Sequence, residues 1–192
     1  MRLATFVAVV GFLLAGTGVL PAQSPLTFGL GGSLTVPVGN TPGFGGPGDA
    51  GSLGAGWQGI GLLQFRPFGG NLGFQLDGSY QRVGPGAISY AHRQVYSGTA
   101  NIVYEFGRSR TSTVVPYVIG GAGVYGFQRG MDANATRFGL SGGAGINLNL
   151  GLGSIFVESR LHNVFGAGLG ADGTSSSTRL LPITAGFKIS GP

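Results

Sequence analysis

Charged side chains are scarce in this 192-residue chain, and those in its body stand singly among apolar residues. Only 9% of the residues are charged. Basic and acidic side chains enclosed together can form ion pairs, or can carry a proton or an ion along a path. Because a buried charge without a partner is costly, we expect a paired scaffold rather than a conduction path. The residues concerned are Arg66, Asp77, Arg93, Glu105, Arg137, Glu158, Arg160, His162 and Lys188.

Catalytic motifs are weak. Residues 139–143 match the Gly-x-Ser-x-Gly nucleophile elbow around Ser141, but that elbow requires a helix after it, and the following residues alternate like a strand. The two histidines, His92 and His162, are isolated, and no spacing selects an acid or a nucleophile to work with either. The chain has no cysteine, which excludes thiol chemistry and cysteine-based metal sites. We therefore predict no enzyme activity and no catalytic, cofactor-binding or metal-binding residues.

The composition fits a surface in contact with lipid. Soluble domains usually carry about 25% charged residues, and the mean hydropathy here is positive, at +0.30. The 41 glycines are interleaved with Leu, Val, Ile, Phe and Tyr, which form strands and are rare in disordered chains. The net charge of +5 comes from scattered residues. Because nucleic-acid binding needs clustered basic residues, we predict none.

The N-terminus has the layout of a secretory signal. Arg2 precedes an apolar stretch from Leu3 to Leu20, and Pro21-Ala22-Gln23 supplies a helix break and a small residue. This order predicts a signal peptide over 1–22 with cleavage after Ala22, followed by one domain over 23–192. An uncleaved anchor is the alternative, since the stretch is at the lower length limit for a membrane span.

The rest of the chain alternates with a period of two residues. Leu72, Phe74 and Leu76, for example, alternate with Gln75 and Asp77. Strand side chains point alternately to opposite faces, so such a segment has one apolar and one polar face. The segments cover 26–36, 55–66, 71–82, 93–106, 114–128, 136–150, 154–164 and 178–189. The fifth is apolar throughout, and periodicity does not assign its faces.

Eight such strands predict a transmembrane barrel. The segments exceed the about 5–6 residues of soluble strands and suit the about 9–11 of a tilted membrane strand. An even number returns the chain to its starting side, and long connections alternate with short ones, as in bacterial barrels. The predicted outer loops are 37–53, 83–92, 128–135 and 165–177. With the apolar faces toward lipid, the polar faces fill the lumen, because an eight-stranded barrel is just wide enough for side chains.

Three stretches carry a resemblance to a known family. Residues 116–125 look like the fifth strand of small outer-membrane barrels, and 142–146 and 156–162 are similar to the strands that follow it. Over about 26–190 the chain resembles the OmpA-like, or outer-membrane protein β-barrel domain, superfamily. The resemblance implies an all-β, eight-stranded antiparallel up-and-down barrel in the bacterial outer membrane, inserted by the β-barrel assembly machinery. Phe187 or Ile189 would replace the terminal aromatic residue that this machinery reads.

Relatives of this kind act as envelope scaffolds, adhesins or narrow pores. We expect a monomeric, non-catalytic barrel with a structural or surface-interaction role, embedded in outer-membrane lipid and able to contact an extracellular ligand through its outer loops. A narrow, porin-like transport barrel for small solutes is one alternative. A soluble, exported, lipocalin-like ligand-binding barrel is another, and it requires apolar side chains inside and polar ones outside.

Overall fold

The chain folds into eight strands. The computed structural model describes residues 26–38, 55–67, 70–83, 93–107, 112–129, 133–150, 153–169 and 175–190. The strands are β1 (Thr27–Pro37), β2 (Gly56–Phe65), β3 (Leu72–Val83), β4 (Arg93–Glu105), β5 (Val114–Arg129), β6 (Ala133–Asn149), β7 (Gly153–Leu169) and β8 (Ser175–Ser190). Within these described ranges no helix has the length and hydropathy to cross a bilayer. The predicted signal peptide lies outside the described residues.

The strands close into one antiparallel barrel. Each strand pairs with its neighbours in the chain, and β8 pairs with β1. Register partners followed once around the barrel from Thr27 are Gln64, Gln75, Asn101, Gly121, Ser141, His162, Leu180 and Pro37. The path returns to β1 ten residues from its start, from 27 to 37. Such a stagger tilts the strands, and closure pairs every strand edge, which a bilayer demands.

The apolar stripes face outward and the polar stripes face inward. Leu76 and Ile183 are exposed on the outer surface. Asp77 and Lys188 are buried, at 7% and 3% exposure. The predicted eight-stranded barrel with an apolar exterior is therefore confirmed. We define the lower end as the rim where β1 begins and β8 ends, and the upper end as the opposite rim.

The faces of β5 were the ones that periodicity left open. Val115, Tyr117 and Ile119 point inward and are buried, whereas Val114 and Val118 are exposed outside. The inward side chains include apolar residues because β5 lines two apolar parts of the lumen. One is the cluster of Val103, Tyr117 and Ile119, and the other lies near the upper end. Both faces of β5 therefore read as apolar in the sequence.

Two predicted outer loops are wrong in extent. Strand β5 runs to Arg129 and β6 starts at Ala133, so most residues of the predicted loop 128–135 belong to these two strands. Likewise β7 and β8 extend into the predicted loop 165–177. These extensions are rich in Gly, Ala and Ser, which sequence patterns assign to turns although backbone pairing alone can continue a hairpin. Most of the predicted loops 37–53 and 83–92 lies outside the described residues.

Aromatic rings gather near both ends of the outer surface. Trp57 meets Tyr80 at 5.6 Å between ring centroids, and Tyr80 meets Tyr96 at 5.1 Å, toward the upper end. Toward the lower end, Tyr104 and Phe106 pack edge to face at 5.1 Å. Amphipathic rings collect at the two membrane–water interfaces, so these clusters mark the edges of an apolar band.

Candidate functional site

The middle of the lumen is crossed by a buried ionic cluster, the central cluster, formed by Asp77, Tyr117, Glu158 and Arg160. The Arg160 guanidinium donates from Nη1 to Asp77 Oδ2 at 2.5 Å and from Nε to Glu158 Oε1. The Tyr117 hydroxyl donates to the second Glu158 oxygen at 2.8 Å. Two carboxylates and one guanidinium leave the central cluster with a formal charge of −1.

Neutral side chains complete the shell of Asp77. Gln75 Nε2 donates to Asp77 Oδ1 at 2.8 Å, and Asn101 Nδ2 donates to Oδ2 at 2.9 Å. The Thr99 hydroxyl adds a longer bond of 3.3 Å to Oδ2. A buried carboxylate is tolerated only when its lone pairs are satisfied in this way. Alternation along β3 and β4 places these donors beside Asp77.

A second ionic group, the lower cluster, consists of Arg66, Glu105, Asn147 and Lys188. Arg66 forms an ion pair with Glu105, and Asn147 Nδ2 donates to the same carboxylate oxygen at 3.0 Å. The Lys188 ammonium donates to Asn147 Oδ1 at 3.1 Å. Two cations against one carboxylate give the lower cluster a formal charge of +1.

The upper part of the lumen is more apolar. Val95, Tyr125 and Val164 form a buried cluster, with Phe127 packed against it. His162 lies just below, and its Nδ1 is 2.7 Å from the Tyr125 hydroxyl. The described ion pairs thus lie in the middle and lower parts of the lumen, whereas apolar side chains, glutamines and His162 line its upper part.

Two cavities lie on either side of the central cluster. The upper one, about 240 Å³ including space open to solvent, is lined by Gln58, Gln81, Tyr125 and His162 among others. The lower one, about 350 Å³ including space open to solvent, is lined by the lower cluster and by Gln64. Between them, the side chains of the central cluster occupy the barrel interior.

The structure brings seven of the nine predicted interior residues into the lumen. All seven are buried: Arg66, Asp77, Glu105, Glu158, Arg160, His162 and Lys188. Arg93 begins β4, but its side chain lies outside the described residues. Sequence reasoning missed Tyr117, because its segment is apolar on both faces and gave no alternation to assign it.

Arg137 departs from the prediction. Its position along β6 has the inward parity, yet the side chain is exposed and donates from Nε to the Gly166 carbonyl oxygen at 2.8 Å. The reason is height: β6 continues upward beyond the part of the barrel that is packed with side chains. An inward parity there no longer means burial, so Arg137 is not part of the interior ionic groups.

The nucleophile-elbow motif lies within a continuous strand. Ser141 and His162 are register partners on β6 and β7, but their hydrogen bonds go elsewhere. Ser141 donates to Asn101 Oδ1 at 3.3 Å, and His162 is bonded to Tyr125. Nucleophilic catalysis by serine needs a hydrogen-bonded base. In the described part of the chain, no group of three metal-ligating side chains lies together either.

Comparison with known proteins extends the architecture to solved structures. No family model matches the chain, and no curated protein matches it in sequence. The crystal structure of Neisserial surface protein A matches with a TM-score of 0.58 at 15% identity, over 86% of this chain and 96% of that one. The outer membrane protein OprG from Pseudomonas aeruginosa gives 0.53 at 13% identity, over 88% and 95%.

This chain has the fold of the small outer-membrane β-barrels. Both matches cover nearly the whole of the other protein, so the likeness concerns the complete barrel. An outer-membrane barrel of eight strands has a lumen filled by side chains, and the central and lower clusters are how this chain fills it.

Proposed function

We propose that the protein is an integral barrel of the bacterial outer membrane, without catalytic activity and with a structural or surface-interaction role. The observation that carries the proposal is the division of polarity. An apolar exterior encloses a lumen whose charges are paired at mid-height by the central cluster. Paired, hydrogen-bonded charges suit a rigid scaffold, whereas a channel needs a wetted path and an enzyme needs an accessible reactive group.

The upper end would face the cell exterior. In bacterial barrels the periplasmic turns are short and the extracellular loops are longer. The two longest connections, from β1 to β2 and from β3 to β4, are both at the upper end. The upper connections would form the contact surface for an extracellular ligand, beside the exposed side chains of Arg82, Arg137 and Arg179.

Membrane fractionation together with conductance measurements tests this proposal. We expect the protein in the outer-membrane fraction, with a gel mobility that shifts on heating because a closed barrel resists detergent. Purified and refolded protein should give no steady unitary currents in planar bilayers. Recovery from the soluble periplasm without a heat shift would contradict the proposal.

A narrow pore is the second candidate, and the two cavities are the observation that favours it. If the central cluster let water pass between them, small solutes would cross. Unitary currents that persist in independent refolded preparations, and that change size in an Asp77 variant, would support the pore over the scaffold.

The lipocalin-like alternative requires the reverse polarity. Leu76 would have to point into the barrel and Gln75 outward, whereas Leu76 is 50% exposed and Gln75 is 1% exposed. The observed faces are therefore incompatible with a soluble ligand-binding barrel of that kind.

Export, assembly and oligomeric state complete the proposal. The chain would be exported by its first 22 residues, inserted by the assembly machinery through β8, and remain a monomer in lipid. Phe187 and Ile189 face outward near the lower end of β8, in support of a recognised terminal strand. N-terminal sequencing of the membrane form should begin at Gln23, and cross-linking in vesicles should give one band. A retained N-terminus or a dimer band would contradict these parts.

A further inference from the structure

The lower cavity has an unusual set of polar walls. Its lining includes Gln64, Glu105, Asn147, Ser154 and Lys188, close to the lower rim of the barrel. The exposed Asn149 and the half-buried Ser154 line the cavity at that rim, so a small solute can reach it there without passing through the central cluster.

Lys188 brings a buried positive charge to this cavity without a carboxylate of its own. An ammonium group has three donors, and in the described part of the chain one of them is used, toward Asn147 Oδ1. The centroids of the Tyr117 and Phe156 rings each lie 4.8 Å from Lys188 Nζ, and both rings stabilise the charge by cation–π contact. No ion pair joins Lys188 to a carboxylate among the described residues.

The carboxylates of the central cluster do not contact the Lys188 ammonium directly. Tyr117 stands between the two groups, with its ring toward the Lys188 ammonium and its hydroxyl on Glu158. Glu158 is already occupied by Arg160 and Tyr117. The ammonium therefore retains two N–H donors for the cavity.

Gln64 supplies an independent indication of a ligand. Its side chain is fully buried in the cavity wall, yet neither of its amide atoms has a hydrogen-bond partner in the described structure. Leaving a buried polar atom unsatisfied is costly, so native proteins usually place a partner there.

The sign of the local charge selects an anion. Among the described residues that line the cavity there are two cations and one carboxylate, and that carboxylate already accepts bonds from Arg66 and Asn147. We propose that the lower cavity binds one small inorganic anion, of the size of chloride or phosphate. Lys188 supplies the compensating charge and the Gln64 amide supplies a neutral donor.

The chain offers a clean probe, because Lys188 is its only lysine. Refolded full-length barrel, labelled with ¹³C at the lysine ε-carbon, gives one lysine ε signal in a neutral maltoside detergent. Sodium chloride and sodium phosphate are titrated at constant ionic strength against sodium gluconate, whose anion is much larger than chloride or phosphate. We expect the signal to move and saturate with chloride, phosphate or both, and to stay in place with gluconate. The two titrations tell which anion is held.

Two matched glutamine variants localise the effect. Gln64→Leu should weaken the apparent affinity about tenfold, the worth of one hydrogen bond to a charged group. Gln81→Leu removes an amide of the upper cavity whose Nε2 also lacks a partner, and should leave the affinity unchanged. Gln64→Glu keeps the shape and places a carboxylate in the cavity, so it should abolish the response to added anion.

Several outcomes would overturn the proposal. One is a lysine signal that does not saturate, or that follows ionic strength alike for all three salts, which would mean that water fills the cavity. Equal weakening by Gln64→Leu and Gln81→Leu is another, as is an undiminished anion response in folded Gln64→Glu. The heat-modifiable gel shift confirms that each variant is folded before it is scored.

Discussion

Arg160 Nη1 lies 2.5 Å from Asp77 Oδ2, a contact that joins β7 to β3 across the barrel interior. The two strands are four apart in either direction around the eight-stranded barrel. No backbone hydrogen bonds join β3 to β7, so this ion pair connects opposite walls of the barrel directly.

Removing one partner of that pair should strongly destabilise the barrel. Asp77→Asn leaves the Arg160 guanidinium buried with one carboxylate fewer, and breaking a buried pair in this way costs about 3–5 kcal/mol. Urea unfolding in lipid vesicles measures the loss. Arg179→Gln, at an exposed arginine, is the control and should change stability by less than about 0.5 kcal/mol. A loss of under about 1 kcal/mol for Asp77→Asn would show that water compensates Arg160.

The lower cluster should behave as a coupled unit. Arg66→Met and Glu105→Gln each remove one member of the ion pair, whereas the double variant removes both charges together. We expect the double variant to lose less unfolding free energy than the two single variants lose together, by about 0.5–3 kcal/mol. Pairing Arg66→Met with the distant Arg179→Gln serves as the control and should be additive. Additivity within the ionic pair would mean that solvent screens it.

Alternation was sufficient to predict the barrel and the faces of most strands. A polar residue between two lipid-facing residues, such as Gln75 between Phe74 and Leu76, has only one side to occupy. Strand β5 escaped because its inward residues are themselves apolar. The upper ends of β5 to β8 were not predicted as strand, because backbone pairing rather than a side-chain pattern continues a hairpin beyond the membrane.

The partners inside the lumen could not be predicted in the same way. Glu158 and Arg160 are two residues apart on one strand, so their proximity follows from sequence. That Arg160 also reaches Asp77, 83 positions away, depends on the stagger of the barrel, which one sequence does not specify. Arg137 shows a second limit of the sequence pattern. Alternation along a strand predicts whether a side chain points inward, but not whether it lies within the packed part of the lumen.

Glycines that face the lumen should be less replaceable than those that face lipid. A methyl group on Gly143 would collide with the Ser159 carbonyl oxygen and lie 2.7 Å from Arg160 Cα, whereas one on Gly78 would meet nothing within 4 Å. We expect Gly143→Ala to cost about 1–3 kcal/mol by overpacking, and Gly78→Ala to be neutral or slightly stabilising. Urea midpoints in vesicles compare the two, and equal effects would contradict the close approach of β6 and β7.

The final prediction concerns depth in the bilayer. Leu76 lies in β3 midway between Leu72, which pairs with Tyr104 near the lower end, and Tyr80 near the upper end. Val36 lies one residue before the upper end of β1, and Leu76 and Val36 are both exposed outward. An arginine facing lipid costs about 2–4 kcal/mol at the midplane and about 0–1 kcal/mol near an interface. Leu76→Arg should therefore destabilise the barrel much more than Val36→Arg, although both replace an aliphatic residue on the same outer surface. The single tryptophan, Trp57, faces outward and is half exposed, so its fluorescence reports transfer from lipid to water during urea unfolding. Equal costs at the two positions would mean that the outer face is not buried in hydrocarbon, because only a bilayer makes the cost of a charge depend on height.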